Sequence, residues 1–344
     1  MKNKKTGGTE GEKRAQRTEP AQLDYRAGSL PGWVQEVIET HLAIEAEDAK
    51  SAGSLGFMAR ALVIATMPYK DPRTDAFVRN NGDFRLRILA GYEGGIPYGI
   101  YPRLLLSWVA TEAVRTQSPI IELGDSLSMF LRDVLDIQRG SGKRGSSTRV
   151  AEQMKRLFGA LITAQYTGDM QNRGFVLRNV LIADGVELHD QDLKLEPDDV
   201  VDAQTPAEGS LWVPQRTEHA GAWKSKVRLS DNFFKECIDR PVPIDLRAYK
   251  ALRGSPLAMD VYTWLTYRMS YTERKTRPIP WEALMGQFGS NFQSAQAVRD
   301  FKKAFLKALQ AVQLIYPNAK VEVADNGLIL LPSPPHVSKQ RELF

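Results

Sequence analysis

Apolar residues along the chain keep two rhythms, one of three to four residues and one of two. From Leu30 to His41, and again from Leu55 to Met67, they recur at helical spacing, which predicts two amphipathic helices, the second closed by Pro68. The rhythm then shortens: a strand around Arg73–Arg79, the turn Asn80-Asn81-Gly82-Asp83, and the alternating run Phe84-Arg85-Leu86-Arg87-Ile88-Leu89 predict a hairpin. Pro102 then opens a strongly apolar helix over Arg103–Thr116, where a first-turn proline loses nothing by lacking an N–H. Ser118-Pro119 stops that helix, and Ile120–Leu123 reads as a short strand. Asp125 caps an expected helix Ser126–Ile137. After a glycine-serine-basic loop, a helix is expected over Thr148–Thr163, followed by strands near Ala164–Thr167 and Phe175–Ile182.

The same order returns after residue 210. Lys224–Leu229 reads as a strand, Ser230 caps a helix Asp231–Ile238, and a further helix covers Asp245–Leu252. Ser255-Pro256 is a cap plus first-turn proline for the helix Pro256–Tyr271. Ile279 marks a short strand, Pro280-Trp281 opens a helix to Phe288, and a long helix follows from Ser294 to Gln313. Leu314–Ala324 and Leu328–Leu331 flank the turn Asp325-Asn326-Gly327. Helix, short strand, helix, turn, helix, hairpin is the order of a winged helix-turn-helix. The expected fold is therefore α+β, mostly helical, with two tandem winged helix-turn-helix domains and small antiparallel hairpins. The expected bounds are a disordered basic tail 1–30, a first domain 31–183, an acidic linker 184–210, a second domain 211–332 and a loose tail 333–344.

Two helices have the two faces that major-groove reading demands, one for the domain and one for bases and phosphates. In Ser294–Gln313, Val298, Phe301, Phe305, Ala308 and Val312 share one face, and Gln296, Arg299, Lys303, Lys307 and Gln310 lie opposite, with Lys302 on the flank. In Thr148–Thr163, Val150, Met154, Leu157, Phe158 and Leu161 point inward, while Thr148, Arg149, Glu152, Lys155 and Arg156 point outward. Arg139, Lys143 and Arg144 in the preceding loop suit a phosphate backbone, and Arg173 and Arg178 beside the first hairpin turn would be wing contacts. A solvated surface helix with a cationic outer face has the same pattern. The set Tyr262, Trp264, Tyr267 and Tyr271 is helix-spaced and reads as core packing ahead of a base-stacking platform.

Charge sharpens this picture. The net charge is only +5, but residues 211–344 hold 20 Lys/Arg against 12 Asp/Glu, while 184–210 hold nine acids and the single base Lys194. Concentrated positive charge suits a polyanionic partner. Competing chemistries lack their parts. The run Gly140-Ser141-Gly142-Lys143-Arg144 has Ile137 where a phosphate loop needs its first glycine. His41, His189, His219 and His336 are widely spaced, which argues against a zinc site and against a His-paired nickase. Cys237 is the only cysteine and reads as a small buried hydrophobe in a reducing compartment. No membrane span and no secretory signal are expected, the chain reads as a cytoplasmic protein, and no cofactor, metal or enzymatic activity is expected.

Several stretches resemble the plasmid-encoded RepA replication proteins. They are Gly56-Phe57-Met58-Ala59-Arg60-Ala61-Leu62-Val63, Pro97-Tyr98-Gly99-Ile100-Tyr101-Pro102-Arg103-Leu104-Leu105-Leu106, Thr111-Glu112-Ala113-Val114-Arg115-Thr116 and Leu123-Gly124-Asp125-Ser126-Leu127-Ser128. Ser255-Pro256-Leu257-Ala258-Met259-Asp260-Val261-Tyr262-Thr263-Trp264-Leu265, Trp281-Glu282-Ala283-Leu284 and Gln287-Phe288-Gly289 belong with them. The resemblance, spanning roughly residues 50–335, implies an initiator that binds repeated double-stranded sites (iterons) at a bacterial plasmid origin. It further implies opening of the adjacent duplex and recruitment of the host replication initiator and helicase, with a homodimer as one state. A dimeric sequence-specific repressor without initiator activity is the alternative.

Overall fold

The computed structural model describes residues 32–64, 66–81, 84–122, 146–166, 176–187, 226–239, 241–289 and 294–337. The chain is a mixed α and β protein whose strands form small, wholly antiparallel sheets. The first helix, α1, spans Gly32–Ala46. Next comes the clearest departure from the sequence expectation: Leu55–Met58 is not helical but a strand, β1, followed by the short helix α2, Arg60–Ile64. The partner of β1 is remote, β9 (Val242–Asp245), in register from Leu55↔Asp245 to Met58↔Val242. Local periodicity cannot reveal such a partner. Gly56 lets the segment lie flat, since a Cβ there would stand 2.5 Å from a Leu246 methyl.

Strands β2 (Ala76–Asn81) and β3 (Phe84–Leu89) pair as expected, and β5 (Leu161–Tyr166) and β6 (Val176–Leu181) extend them into one sheet ordered β2-β3-β5-β6. On β3, Leu86 and Ile88 are buried while Arg85 and Arg87 are exposed. Helix α3 (Ile100–Thr116) is the apolar helix anticipated at Pro102, buried from Pro102 to Ala113. Helix α4 spans Ser146–Phe158; it stops earlier than expected because Leu161–Thr163 is taken by β5, where Ile162 pairs Ile88. Strand β4 (Ile120–Glu122) joins neither neighbour in sequence but a sheet ordered β4-β8-β7, with β7 Ala183–Glu187 and β8 Lys226–Leu229.

In the later part, the caps read from sequence, Ser230 and Ser255, are made as hydrogen bonds, and Asp245 adds another. Ser230 Oγ accepts from Phe233 N (3.2 Å) at the start of α5 (Asp231–Asp239), and Asp245 accepts from Arg247 N at α6 (Leu246–Ala251). Ser255 accepts from Ala258 N at α7 (Pro256–Met269). Strand β10 (Ile279–Pro280), α8 (Trp281–Phe288), α9 (Ala295–Ile315) and the hairpin β11 (Val321–Ala324) and β12 (Gly327–Leu330) complete the fold, the strands ordered β10-β12-β11. Residues past Pro332 were expected to be loose, yet 333–337 are seated. Lys320 N donates to Ser333 Oγ (2.9 Å), Tyr316 donates to the Pro334 carbonyl, and Val337 is buried.

One continuous apolar core runs through both expected domains, from Val37 to Leu330. Polar ties cross it as well. The fully buried Arg103 of α3 grips Asp260 of α7 in a two-pronged pair, Nε to Oδ1 at 2.8 Å and Nη2 to Oδ2 at 2.7 Å. Its remaining N–H groups reach the carbonyls of Met67, Pro68 and Gly99, so no donor is wasted. Burial pushes the Asp260 carboxyl above its ordinary value, and Asp260 in turn raises Arg103 against the opposing effect of its own burial. Gln287 of α8 donates to the Val63 carbonyl, and Thr66 donates to the Gln287 carbonyl. Gly286 lets α8 approach β2, where a Cβ would lie 2.7 Å from the Asn80 oxygen. Cys237 is buried as expected, and burial pushes its thiol up to about 12.

Candidate nucleic-acid interface

Helix α9 is a long two-faced element with a cationic outer side available to a polyanion. Ser294 Oγ caps it by accepting from Ala297 N at 3.1 Å, and its 21 residues extend about 31 Å. The inner face is an aromatic stack. Phe305 is fully buried, 5.6 Å from Phe301, 5.5 Å from Phe288 and 6.1 Å from Trp281, ring centre to ring centre. That packing fixes the helix's rotation, so Gln296, Arg299, Lys303, Lys307 and Gln310 are all exposed. The outer face is not uniformly cationic. Asp300 sits on it and accepts from Gln296 Nε2 (2.8 Å), while Arg299 donates to Gln296 Oε1 (3.1 Å). Arg299, Gln296 and Asp300 thus form one short relay, pre-positioning the guanidinium while tempering its charge. Asp300 lies one turn past Gln296, so helical spacing alone puts it on this face beside the expected cations. Lys302 is held elsewhere: its ammonium lies 4.8 Å over the Trp281 ring and ties α9 to α8.

Helix α4 presents less. Val150, Met154, Leu157 and Phe158 are buried, and Thr148 and Arg149 are exposed, as expected; Lys155 is half-buried. Arg156 is turned inward, its side chain only 13% exposed. Its Nε meets Glu152 at 2.9 Å, an Nη lies 3.6 Å from Asp71, and the guanidinium stacks 5.2 Å from Tyr98. It braces the segment around Tyr98 against α4, as does the buried Gln153, whose Oε1 accepts from Tyr98 N. Helical spacing alone placed Arg156 outside; the carboxylates that draw it in come from a turn earlier and from Asp71. Arg139, Lys143, Arg144 and Arg173 lie outside the described residues, and so does the side chain of Arg178.

Two groups of cations were not singled out from the sequence. Arg85 and Arg87 stand side by side on the open face of the four-stranded sheet, opposite Asn80, Val78, Gln165 and Thr163. The alternation in Phe84–Leu89 was their signal. Arg274, Lys275 and Arg277 are exposed where the chain passes from α7 to β10, and Lys275 pairs with Glu322 of β11 at 2.6 Å. Among the described residues, no three His, Cys, Asp or Glu side chains gather as a metal site, and no helix is long and apolar enough to cross a membrane.

Comparison with known proteins gives one family. The family model described as plasmid encoded RepA protein matches residues 96–200 and 198–282, together more than half of the 344 residues. Among solved structures, crystal structures of domains 2 and 3 of RctB are similar at 12% identity. The selenomethionine derivative covers 79% of this chain and 98% of its own, with a TM-score of 0.41. A second covers 78% and 94%, with a TM-score of 0.40. No curated protein matches the chain.

Proposed function

This chain belongs to the family of plasmid-encoded RepA proteins, and from that membership we propose that it initiates plasmid replication by binding DNA, without catalysing a reaction. Its targets in this reading are repeated double-stranded sites at the origin. Binding free energy spent on bending or twisting those sites strains an AT-rich neighbour, and host replication proteins are recruited to the opened strand.

The observation that carries the reading is α9. Its inner face is locked by the Phe301, Phe305, Phe288 and Trp281 rings, and its outer face offers an amide and a guanidinium in its first two turns and lysines further along. Amide and guanidinium groups can pair bidentately with base edges, whereas lysines neutralise phosphates. The order α7, β10, α8, α9, β11, β12, with β12 between β10 and β11, supports a winged helix with α9 as its reading helix. Arg149 of α4, also exposed, offers a second contact from the earlier part of the chain, for a second groove in this reading.

The test is a footprint of the purified protein on its own plasmid's origin, joined to a salt titration of the same complex. Protection should appear as evenly spaced repeats. Neutralising roughly 6–10 phosphates should give a log–log salt slope of about −5 to −9. A slope near zero, or no protected repeats, would refute the reading.

A further inference from the structure

The four aromatics of α7 and its end part company in the fold. Tyr262 and Trp264 are core residues, 0% and 3% exposed. Tyr271, just past the helix, is 47% exposed, with Tyr267 edge-on to it at 5.1 Å. Arg268 is wedged between the outer and inner rings, its guanidinium 5.4 Å from the Tyr271 centre and 5.9 Å from that of Trp264, and its Nε is buried without a hydrogen-bond partner. The following loop adds exposed Arg274, Lys275 and Arg277; with Lys275 paired to Glu322, Arg268, Arg274 and Arg277 stand against Glu273. The loop is pinned: Thr276 N donates to the Leu330 carbonyl (2.9 Å), and Leu330 N donates to Thr276 Oγ1 (3.0 Å).

We propose that Tyr271, backed by Tyr267 and Arg268 and flanked by Arg274 and Arg277, is a contact for single-stranded DNA, stacking one unpaired base while the arginines hold its phosphates. The inference rests on the initiator reading above and gives the opened strand a place on this chain. The chemistry selects the ligand. An exposed ring with a guanidinium behind it offers a π-face to a base, but in a duplex the base faces are already stacked on their neighbours, so only an unpaired base can use it. A surplus of cations around one exposed aromatic favours a polyanion over an apolar protein surface. The pinned loop holds Arg274 and Arg277, three and six residues past the ring, on an ordered stretch, which lowers the ordering cost at binding.

The experiment compares full-length wild type, Tyr271→Ala, Tyr271→Trp and the double variant Arg274→Gln/Arg277→Gln. Fluorescence anisotropy is read on an oligothymidylate of about 20 nucleotides, beyond the roughly 4–16 that one site spans, and on a duplex containing the origin repeats. Losing one base–aromatic stack should weaken oligothymidylate binding by Tyr271→Ala roughly 5- to 150-fold, while Tyr271→Trp keeps it. Duplex affinity should stay within about twofold for both, because the duplex offers no free base face. The double variant should lower the single-strand salt slope by about 1.4, about 0.7 for each arginine. Thermal unfolding of Tyr271→Ala, an exposed position, should match wild type. Unchanged oligothymidylate affinity in Tyr271→Ala, with duplex binding intact, overturns this proposal alone and leaves the patch to a protein partner. Equal losses on both DNAs overturn it as well. A wild type that binds neither DNA overturns the initiator reading together with it.

Discussion

Acid should loosen this protein through one histidine. His336, in the segment that follows the last hairpin, inserts between Tyr262 and Tyr316, with ring centres 5.4 and 4.7 Å away. Tyr262 Oη accepts from Asp245 N at 3.0 Å and stands 2.8 Å from His336 Nδ1, an arrangement that suits a neutral ring accepting the phenol proton. Burial is the main influence and lowers the imidazole from 6.5 to about 4; Arg247 and His41 push the same way, while Asp245 and the Ile315 carbonyl oppose it. Between those two values the unfolded chain takes up a proton that the folded chain refuses. Stability is therefore fully present above about pH 6.5 and is lost as pH falls toward 4. At about 1.4 kcal/mol per pH unit the whole effect is about 3 kcal/mol, of which about 2 kcal/mol develops between about pH 7 and 5. Urea unfolding at several pH values in that window measures it. His336→Phe keeps a ring in the slot and removes the titration, so its unfolding free energy should fall less steeply by about that amount, whatever its absolute stability. Parallel slopes in the variant and wild type would refute the assignment.

Breaking the Arg103–Asp260 pair from one side, as Asp260→Ala, should cost about 3–5 kcal/mol in chemical unfolding, because a buried guanidinium loses its carboxylate; a cost below about 1 kcal/mol would mean that water reaches the site. Phe305→Ala should lose about 3–5 kcal/mol by opening a void among the Phe301, Phe288 and Trp281 rings, and it should weaken DNA binding only as far as α9 loses its fixed rotation. On α9 itself, Arg299→Ala should cost about 1–3 kcal/mol of origin binding and relax preference at one or two base pairs, whereas Lys307→Ala should weaken all duplexes alike and reduce the salt slope by about one. Equal loss on origin and random duplex for Arg299→Ala would show that α9 does not read bases there. Incubation with ATP, or of supercoiled plasmid with divalent metal, should yield neither hydrolysis nor nicks; a covalent tyrosine–DNA adduct would overturn the non-catalytic reading.

Where the chain could be read locally, it was legible. Ser230 and Ser255 precede helices by the rule that a side-chain oxygen satisfies a free first-turn N–H, and each makes that bond. The face of α9 followed from a 100° step, because its partners lie on one side only. What failed depended on distant partners. Leu55–Met58 has apolar residues that fit a helix, and only the presence of Val242–Asp245 turns it into a strand. Arg156 has the spacing of an outward residue, but Asp71 and Tyr98 arrive from the loops before α3 and make the inward rotamer better. Tyr271 shares its periodicity with Tyr267 and Trp264, and only the end of α7 at Met269 takes it off the core face. Asp300 needs no distant partner: one turn past Gln296, it shares the outer face of α9 by helical spacing alone.

The pairing of β1 with β9 also sets a timetable for the ribosome. Leu55–Met58 emerges early, yet its strand partner is made only after everything from 59 to 241 has been translated, and the Asp260 that Arg103 needs is later still. Until then the Arg103 guanidinium lacks its carboxylate and β1 lacks its strand partner, although β1, β4 and α4 can already pack against α3. A nascent chain in that condition is open to aggregation and slow to complete its non-local contacts. Early stop codons should therefore release fragments that are cleared or aggregate, so that usable protein comes almost entirely from finished chains.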